Sequence, residues 1–225
     1  MNKVHEIFPL IVYQGTIDCH GEFKEQNLET LRDYWFNGYV NESPEVSGNI
    51  FSHLIDDYSV FYESLKKCIV EYLDHLKVNH TLFDFHVTKS WVGYHKDNET
   101  PSIPAHFHNE SNLSFVYYVH TDKSSDKFCV SQPRNRNEFA GGLFETAHEK
   151  NTLLGYNRYN CNFYNITPIE GSVLIFPSNL THGTQKIMDR TDERLVIAGD
   201  IRVTLKPEYY KHHQGCTHPS QWLQL

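Results

Sequence analysis

Hydrophobic positions along the chain recur first at helical and then at strand spacing. The opening stretch Glu6-Ile-Phe-Pro-Leu-Ile-Val-Tyr13 is predicted as a strand, with a proline that an edge or a strand start tolerates. Leu28, Leu31, Trp35 and Phe36 follow at roughly helical steps and Asn37-Gly38 supplies a stop, so a short helix is expected there. A stronger helix is predicted from about Phe51 to Leu76. Leu54, Ile55, Tyr58, Phe61, Leu65, Ile69, Tyr72 and Leu76 draw one apolar stripe at three- and four-residue steps. Asp56 and Asp57 near its start and Lys77 near its end suit the helix dipole. Such a stripe needs a flat apolar partner, and a β-sheet supplies one.

From Thr81 the period becomes two. Phe83, Phe85 and Val87 alternate with Asp84, His86 and Thr88, which predicts a half-buried strand running on towards Trp91 and Tyr94. Further strands are expected at Leu113–Val119, Lys127–Val130, Asn162–Ile166, Ser172–Phe176 and Arg194–Leu205, separated by the polar segments Asp97–Pro104, His120–Asp126 and Gln132–Tyr159. Helices followed by many short strands indicate an α+β chain, mainly β, built as an antiparallel sandwich or barrel.

Composition narrows the class. With 225 residues, 39% hydrophobic and 14% aromatic, the chain can bury a core and is read as a single domain. Its helical support spans about 25–78, its β core about 80–205 and its tail 206–225. A formal charge of -8 with 20 basic residues argues against a broad nucleic-acid surface. Phe8–Tyr13 is too short for a membrane span and has the wrong flanks for a signal peptide, so a cytoplasmic location is expected. Five cysteines, an odd number without a Cys-x-x-Cys pair, fit reduced thiols.

The chain has 15 histidines, so spacing must select the chemically useful ones. In Pro104-Ala-His-Phe-His-Asn-Glu110, His106, His108 and Glu110 alternate, and on a strand they would share one face. Pro168-x-x-Gly171, the run Val173-Leu-Ile-Phe176 and Pro177-Ser178 lead to His182, a histidine expected at the exit of a buried strand. A buried imidazole needs a partner, and two ligands from one strand with a third from another would make a facial metal site. Twelve residues later Arg194 opens the apolar run Leu195–Ala198, where its fork of donors suits a carboxylate. The bland alternative is an ion pair with Asp192, Glu193 or Asp200; Arg190 sits in a more polar loop. His212-His-Gln-Gly-Cys-Thr-His218 is read as a surface tail, since no second ligand pair with matching spacing appears.

Together, His106-x-His108, the strand from Ser114 to Val119, Gln132-Pro133, Pro168-x-x-Gly171, Phe176-Pro-Ser178, His182 and Glu193-Arg194 resemble the Fe(II)- and 2-oxoglutarate-dependent oxygenases. Within them, these residues resemble a prolyl 4-hydroxylase-like subgroup of marine bacteria and phages. Ile7-Phe-Pro9 and the Trp91 segment extend the likeness to about residues 6–204. The resemblance implies a double-stranded β-helix, or jelly roll, with the N-terminal helices packed on one sheet. It implies Fe(II) held by strand-borne ligands and His182, and 2-oxoglutarate whose distal carboxylate Arg194 binds, with Tyr118, Ser178 or Trp91 lining the pocket. The reaction implied consumes O2, releases succinate and CO2, and by default hydroxylates a primary substrate that the sequence does not name.

The superfamily's usual His-x-Asp or His-x-Glu pair reads His106-Phe-His108 in this chain. Two ligand sets remain open: His106, His108 and His182, which the subgroup resemblance favours, or His108, Glu110 and His182 with His106 behind them. A cupin-type metalloprotein without 2-oxoglutarate is the first alternative, although a cupin places its Pro-x-Gly closer to its last histidine than Gly171 lies to His182. A non-catalytic sandwich is the second.

Overall fold

The computed structural model describes residues 3–6, 9–35, 58–95, 102–121, 126–132, 135–141, 144, 153–185, 193–212 and 219–223. Helix α1 spans His20–Tyr34 and α2 spans Ser59–His75. The strands are β1 Tyr13–Thr16, β2 Phe83–His95, β3 Leu113–His120, β4 Lys127–Ser131, β5 Phe163–Ile166, β6 Ser172–Pro177, β7 His182–Gln185 and β8 Arg194–Leu205. All pairings are antiparallel, in one sheet ordered β1-β6-β3-β8-β2 and a second ordered β5-β4-β7.

Side-chain alternation gives the larger sheet two different faces. Leu113, Phe115, Tyr117, Val173, Ile175, Leu195, Ile197 and Ile201 join Phe23, Leu31, Phe61, Leu65, Ile69 and Tyr72 of the helices in one buried cluster. Their neighbours Val116, Tyr118, Leu174, Phe176, Val196 and Ala198 form a second cluster with Phe128 of the smaller sheet. The chain is thus a double-stranded β-helix with its helices packed on one sheet, and the space between the sheets is where β-borne side chains can converge.

Several predicted boundaries move. The first strand begins only at Tyr13, where it pairs with β6, so Glu6–Val12 carries no strand among its described residues. The stripe of α2 is present at Phe61, Leu65, Cys68, Ile69 and Tyr72, whereas residues 51–57 lie outside the described residues, with Asp56 and Asp57 among them. Asn37-Gly38, Arg190, Asp192 and residues 213–218 also lie outside. The end of α2 is a Schellman turn: Val78 N–H bonds Leu73 O at 2.9 Å and Lys77 N–H bonds Asp74 O at 3.1 Å, with Lys77 at φ 59°. At Pro168-x-x-Gly171 the expected turn forms, with Gly171 at φ 80° and Ser172 N–H on Ile169 O at 3.0 Å.

Candidate metal and cosubstrate site

His182 does not end a strand; it opens β7, five residues after β6 closes at Pro177. Against β7 lies the extended segment Ile103–His108. Thr184 N–H bonds Ile103 O at 3.0 Å, and His106 and His182 exchange both backbone hydrogen bonds at 2.8 Å. Gly183 permits this approach: a Cβ there would stand 2.7 Å from Ile103 O and 3.0 Å from Pro104 O. His108 N–H then bonds Ser178 O at 2.8 Å. His106 and His108 therefore come from a strap with a single β-bridge, in place of the continuous strand face expected from their alternation. The chain bends at Asn109 and Glu110, and Glu110 is exposed and outside the histidine group.

The structure brings His106, His108 and His182 together, with one ligand atom from each lying within 4.8 Å of the others. Each ring is fixed through Nδ1. His106 Nδ1 is 2.8 Å from Pro104 O, His182 Nδ1 is 2.8 Å from Leu180 O, and His108 Nδ1 is 2.6 Å from Asp200 Oδ1. Carbonyl and carboxylate oxygens only accept, so each Nδ1 carries a proton and Nε2 is the nitrogen left to ligate a metal.

His182 rests between Phe128 and Phe176, with ring centroids 5.5 Å and 4.7 Å away. That burial, with the neighbouring His106 and His108, lowers its pKa to about 4 although Leu180 O and Asp200 favour the cation. The ring is thus neutral and ready to ligate near neutral pH. Burial would raise the pKa of Asp200, but the hydrogen bond and charge of His108, with Ser114 and Ser111, hold it below the usual carboxylate value.

Arg194 begins β8, paired in register with His95 of β2, and is 3% exposed. Among the described residues its Nε and Nη1 have no hydrogen-bond partner, and its guanidinium carbon lies 5.4 Å from the Tyr118 ring centroid. Of the acidic neighbours, the two among the described residues are engaged elsewhere. Glu193 pairs with Arg32 of α1 and accepts from Tyr94 Oη at 2.8 Å, and Asp200 accepts from His108. Tyr118 Oη and Thr121 Oγ1, also buried, likewise lack partners among the described residues. Burial raises the Tyr118 pKa although the Arg194 charge beside it pulls the other way, so the phenol keeps its proton and can donate. Orphaned buried donors of this kind call for an anion.

Ser178 and Trp91 sit on the histidine side. Ser178 Oγ is 2.8 Å from Ser111 Oγ and 2.9 Å from Ser114 Oγ, and the Trp91 ring packs 5.6 Å from His108. Asp200 and Thr121 were not anticipated as site residues. Asp200 was legible in principle, since an even step of six from Arg194 places both on one face of the strand. A cleft of about 440 Å³ opens beside the triad, lined by Ala105, His106, Phe107, Ser131, Gln132 and Thr181.

Residues 89–200 match a family described as "Putative 2OG-Fe(II) oxygenase", and by this stretch the chain belongs to the Fe(II)- and 2-oxoglutarate-dependent oxygenases, enzymes whose cofactors are Fe(II) and 2-oxoglutarate. In fold it is similar to AviO1 from Streptomyces viridochromogenes Tue57, at 10% identity and a TM-score of 0.56 over 87% of this chain and 90% of that one. A prolyl-4-hydroxylase of Pseudomonas putida aligns at 13% identity and a TM-score of 0.47 over 84% and 85% of the two chains. HygX from Streptomyces hygroscopicus, solved with nickel and 2-oxoglutarate bound, aligns at 10% identity and a TM-score of 0.47 over 85% and 82%. No curated protein matches the sequence. No helix among the described residues is long and apolar enough to cross a membrane.

Proposed function

We propose that the chain hydroxylates a C–H bond of a primary substrate, with His106, His108 and His182 holding Fe(II) and Arg194 holding 2-oxoglutarate. The observation that carries this reading is the commitment of all three Nδ1–H groups to protein acceptors, which turns three Nε2 lone pairs into one space. When bound, the iron and its cosubstrate supply the oxidation: substrate, O2 and 2-oxoglutarate give hydroxylated substrate, succinate and CO2.

The chain's own residues bind, orient and exclude water. Arg194 offers its unpartnered Nε and Nη1 to the distal carboxylate, with Tyr118 Oη as a further donor. Val196, Leu174 and Phe176 share one buried apolar cluster with Tyr118. In such a dry setting the carboxylate and guanidinium attract far more strongly than in water. The cleft beside His106 gives the primary substrate its approach. Ser178 belongs to the framework under His108 more than to the cosubstrate pocket, because its hydroxyl is engaged with Ser111 and Ser114.

Calorimetric titration of 2-oxoglutarate into the Mn(II)-substituted protein tests the assignment. Losing one partner of a buried charge pair costs about 2 kcal/mol or more, so Arg194→Ala should bind about 30-fold more weakly. Equal affinity in the two proteins would remove Arg194 from the pocket, and no binding by either would favour a cupin-like metalloprotein.

A further inference from the structure

A centre of three neutral imidazoles lacks the anionic ligand of the two-histidine, one-carboxylate arrangement that suits non-haem iron. The described residues place no carboxylate in the histidine group itself. One carboxylate nevertheless reaches the group through a ligand. Asp200 lies on the inner face of β8, paired in register with Ser114 of β3, and its Oδ1 accepts from His108 Nδ1–H at 2.6 Å. Ser114 Oγ lies 2.8 Å from the same oxygen.

The serines fix the direction of this network. Ser114 has one hydroxyl proton, and a carboxylate oxygen only accepts, so Ser114 donates to Asp200 and receives from Ser178, 2.9 Å away. Ser111, which also hydrogen-bonds Asp200, lies 2.8 Å from Ser178. All the donors therefore run towards one carboxylate, which is 7% exposed and bonded to a ring that faces the other two histidines.

We propose that Asp200 supplies, through the His108 Nδ1–H bond, the negative charge that a carboxylate ligand would otherwise bring to the iron. The inference rests on the three-histidine ligation proposed above. A short charge-assisted bond to Nδ1 raises the electron density at Nε2, making His108 the strongest donor of the three; His106 and His182, bonded to backbone carbonyls, lack this assistance. Asp200 is thus a positioning and charge-tuning residue.

The test separates charge from mere orientation by comparing Asp200→Asn with Asp200→Ala. An asparagine carbonyl can still accept from Nδ1–H, so the ring stays oriented while the charge is lost. With Co(II) as the probe, the proposal expects both variants to bind at least about 10-fold more weakly than wild type, in the range typical of partners behind a metal ligand. It also expects a more positive Fe(III)/Fe(II) potential in Asp200→Asn. Wild-type affinity and potential in Asp200→Asn, with loss only in Asp200→Ala, would reduce Asp200 to an orienting acceptor and overturn the proposal.

Should the Asp200 variants not fold, Ser114→Ala decides. It removes one donor that competes with His108 for the carboxylate, so Co(II) affinity should equal or exceed that of wild type, and a fall would contradict the charge role. A wild type that binds no Co(II) would instead remove the three-histidine reading beneath the proposal. That failure is distinct, because it appears before any variant is made.

Discussion

Each imidazole of the triad is oriented by an acceptor that arises locally or from one neighbouring strand. Pro104 O and Leu180 O lie two residues before the histidines they hold, so His106 and His182 are set by the turn of their own backbone. His108 depends instead on a residue far along the sequence, Asp200. The alternation of His106 and His108 was visible in the sequence, and so was the distant His182. Their tautomers were not, because these follow from acceptors that only the fold supplies. Glu110 was an equally good ligand by spacing alone, but the bend at Asn109 and Glu110 leaves it exposed. Glu110→Gln should therefore change metal affinity by less than about twofold, whereas His106→Ala removes a ligand and should lower it well beyond the 10- to 100-fold typical of supporting residues. Metal titration of both variants checks this, and the reverse pattern would restore Glu110 as ligand.

Among the elements, β7 and the strap beside it carry the strongest constraint. Gly183 lies between the paired His182 and Thr184, and the atoms a Cβ would meet are backbone carbonyls that cannot rotate away. Gly183→Ala should cost about 1–3 kcal/mol of stability and also weaken metal binding, because the strap carrying His106 must shift. Gly199→Ala is the control: its Cβ would meet the Phe115 ring and Lys89 O, with Phe115 in the cluster under the helices, so a similar loss of stability should leave metal affinity unchanged. Urea titration with metal titration of the two variants separates these effects, and full metal affinity in Gly183→Ala would contradict the strap's role.

A second device at this scale explains why β2 was only partly readable. Phe85 and Val87 pack beneath the helices, and a register shift between Val87 and Lys89 leaves Thr88 with no residue opposite it on β8. Beyond it Val92 and Tyr94 take over the helix side, which frees Trp91 to pack against His108. Strict alternation cannot express such a change of parity, because one extra residue exchanges the two faces. The short β7 escaped for a related reason: four residues reading His-Gly-Thr-Gln carry no apolar alternation, and only pairing with β4 and the strap makes them a strand.

Across the whole molecule, the helices do more than cover the outer face of the sheet. Lys24 of α1 bonds Glu170 at 2.6 Å, and Glu170 also accepts from His120 Nδ1 at 2.8 Å and from Thr121 N–H at 3.2 Å. One carboxylate in the turn before β6 thus ties α1 to the end of β3, beside the start of β8 where Arg194 lies. Burial opposes its ionisation, yet Lys24, the Thr121 amide and His120 lower the Glu170 pKa to about 2. The unfolded chain therefore binds this proton at a higher pH than the folded one, and stability rises with pH between the two values. The contribution is fully present above the ordinary value of 4.5 and is lost as pH falls towards 2. The stability gap between wild type and Glu170→Gln, measured by urea titration, should hold steady above about pH 5 and narrow in more acidic solution; a gap that widened on acidification would contradict the linkage.

The arrangement of helices packed against a β core was legible from the change of hydrophobic period at Thr81. The unpaired donors around Arg194 were not, since they depend on Arg32 and Tyr94 taking Glu193, a contact between α1, β2 and the start of β8 that no local pattern encodes. On the proposed function, both halves of this interior act as one site, the histidines on iron and Arg194 on its cosubstrate. Anaerobic addition of 2-oxoglutarate to the Fe(II)-loaded protein tests it most directly, through the visible charge-transfer band of a chelated complex. A band is expected in wild type and in Glu110→Gln, none in His182→Ala, and one in Arg194→Ala only at about 30-fold more 2-oxoglutarate. Iron binding without any band in wild type, or a band that survives in His182→Ala, would contradict it.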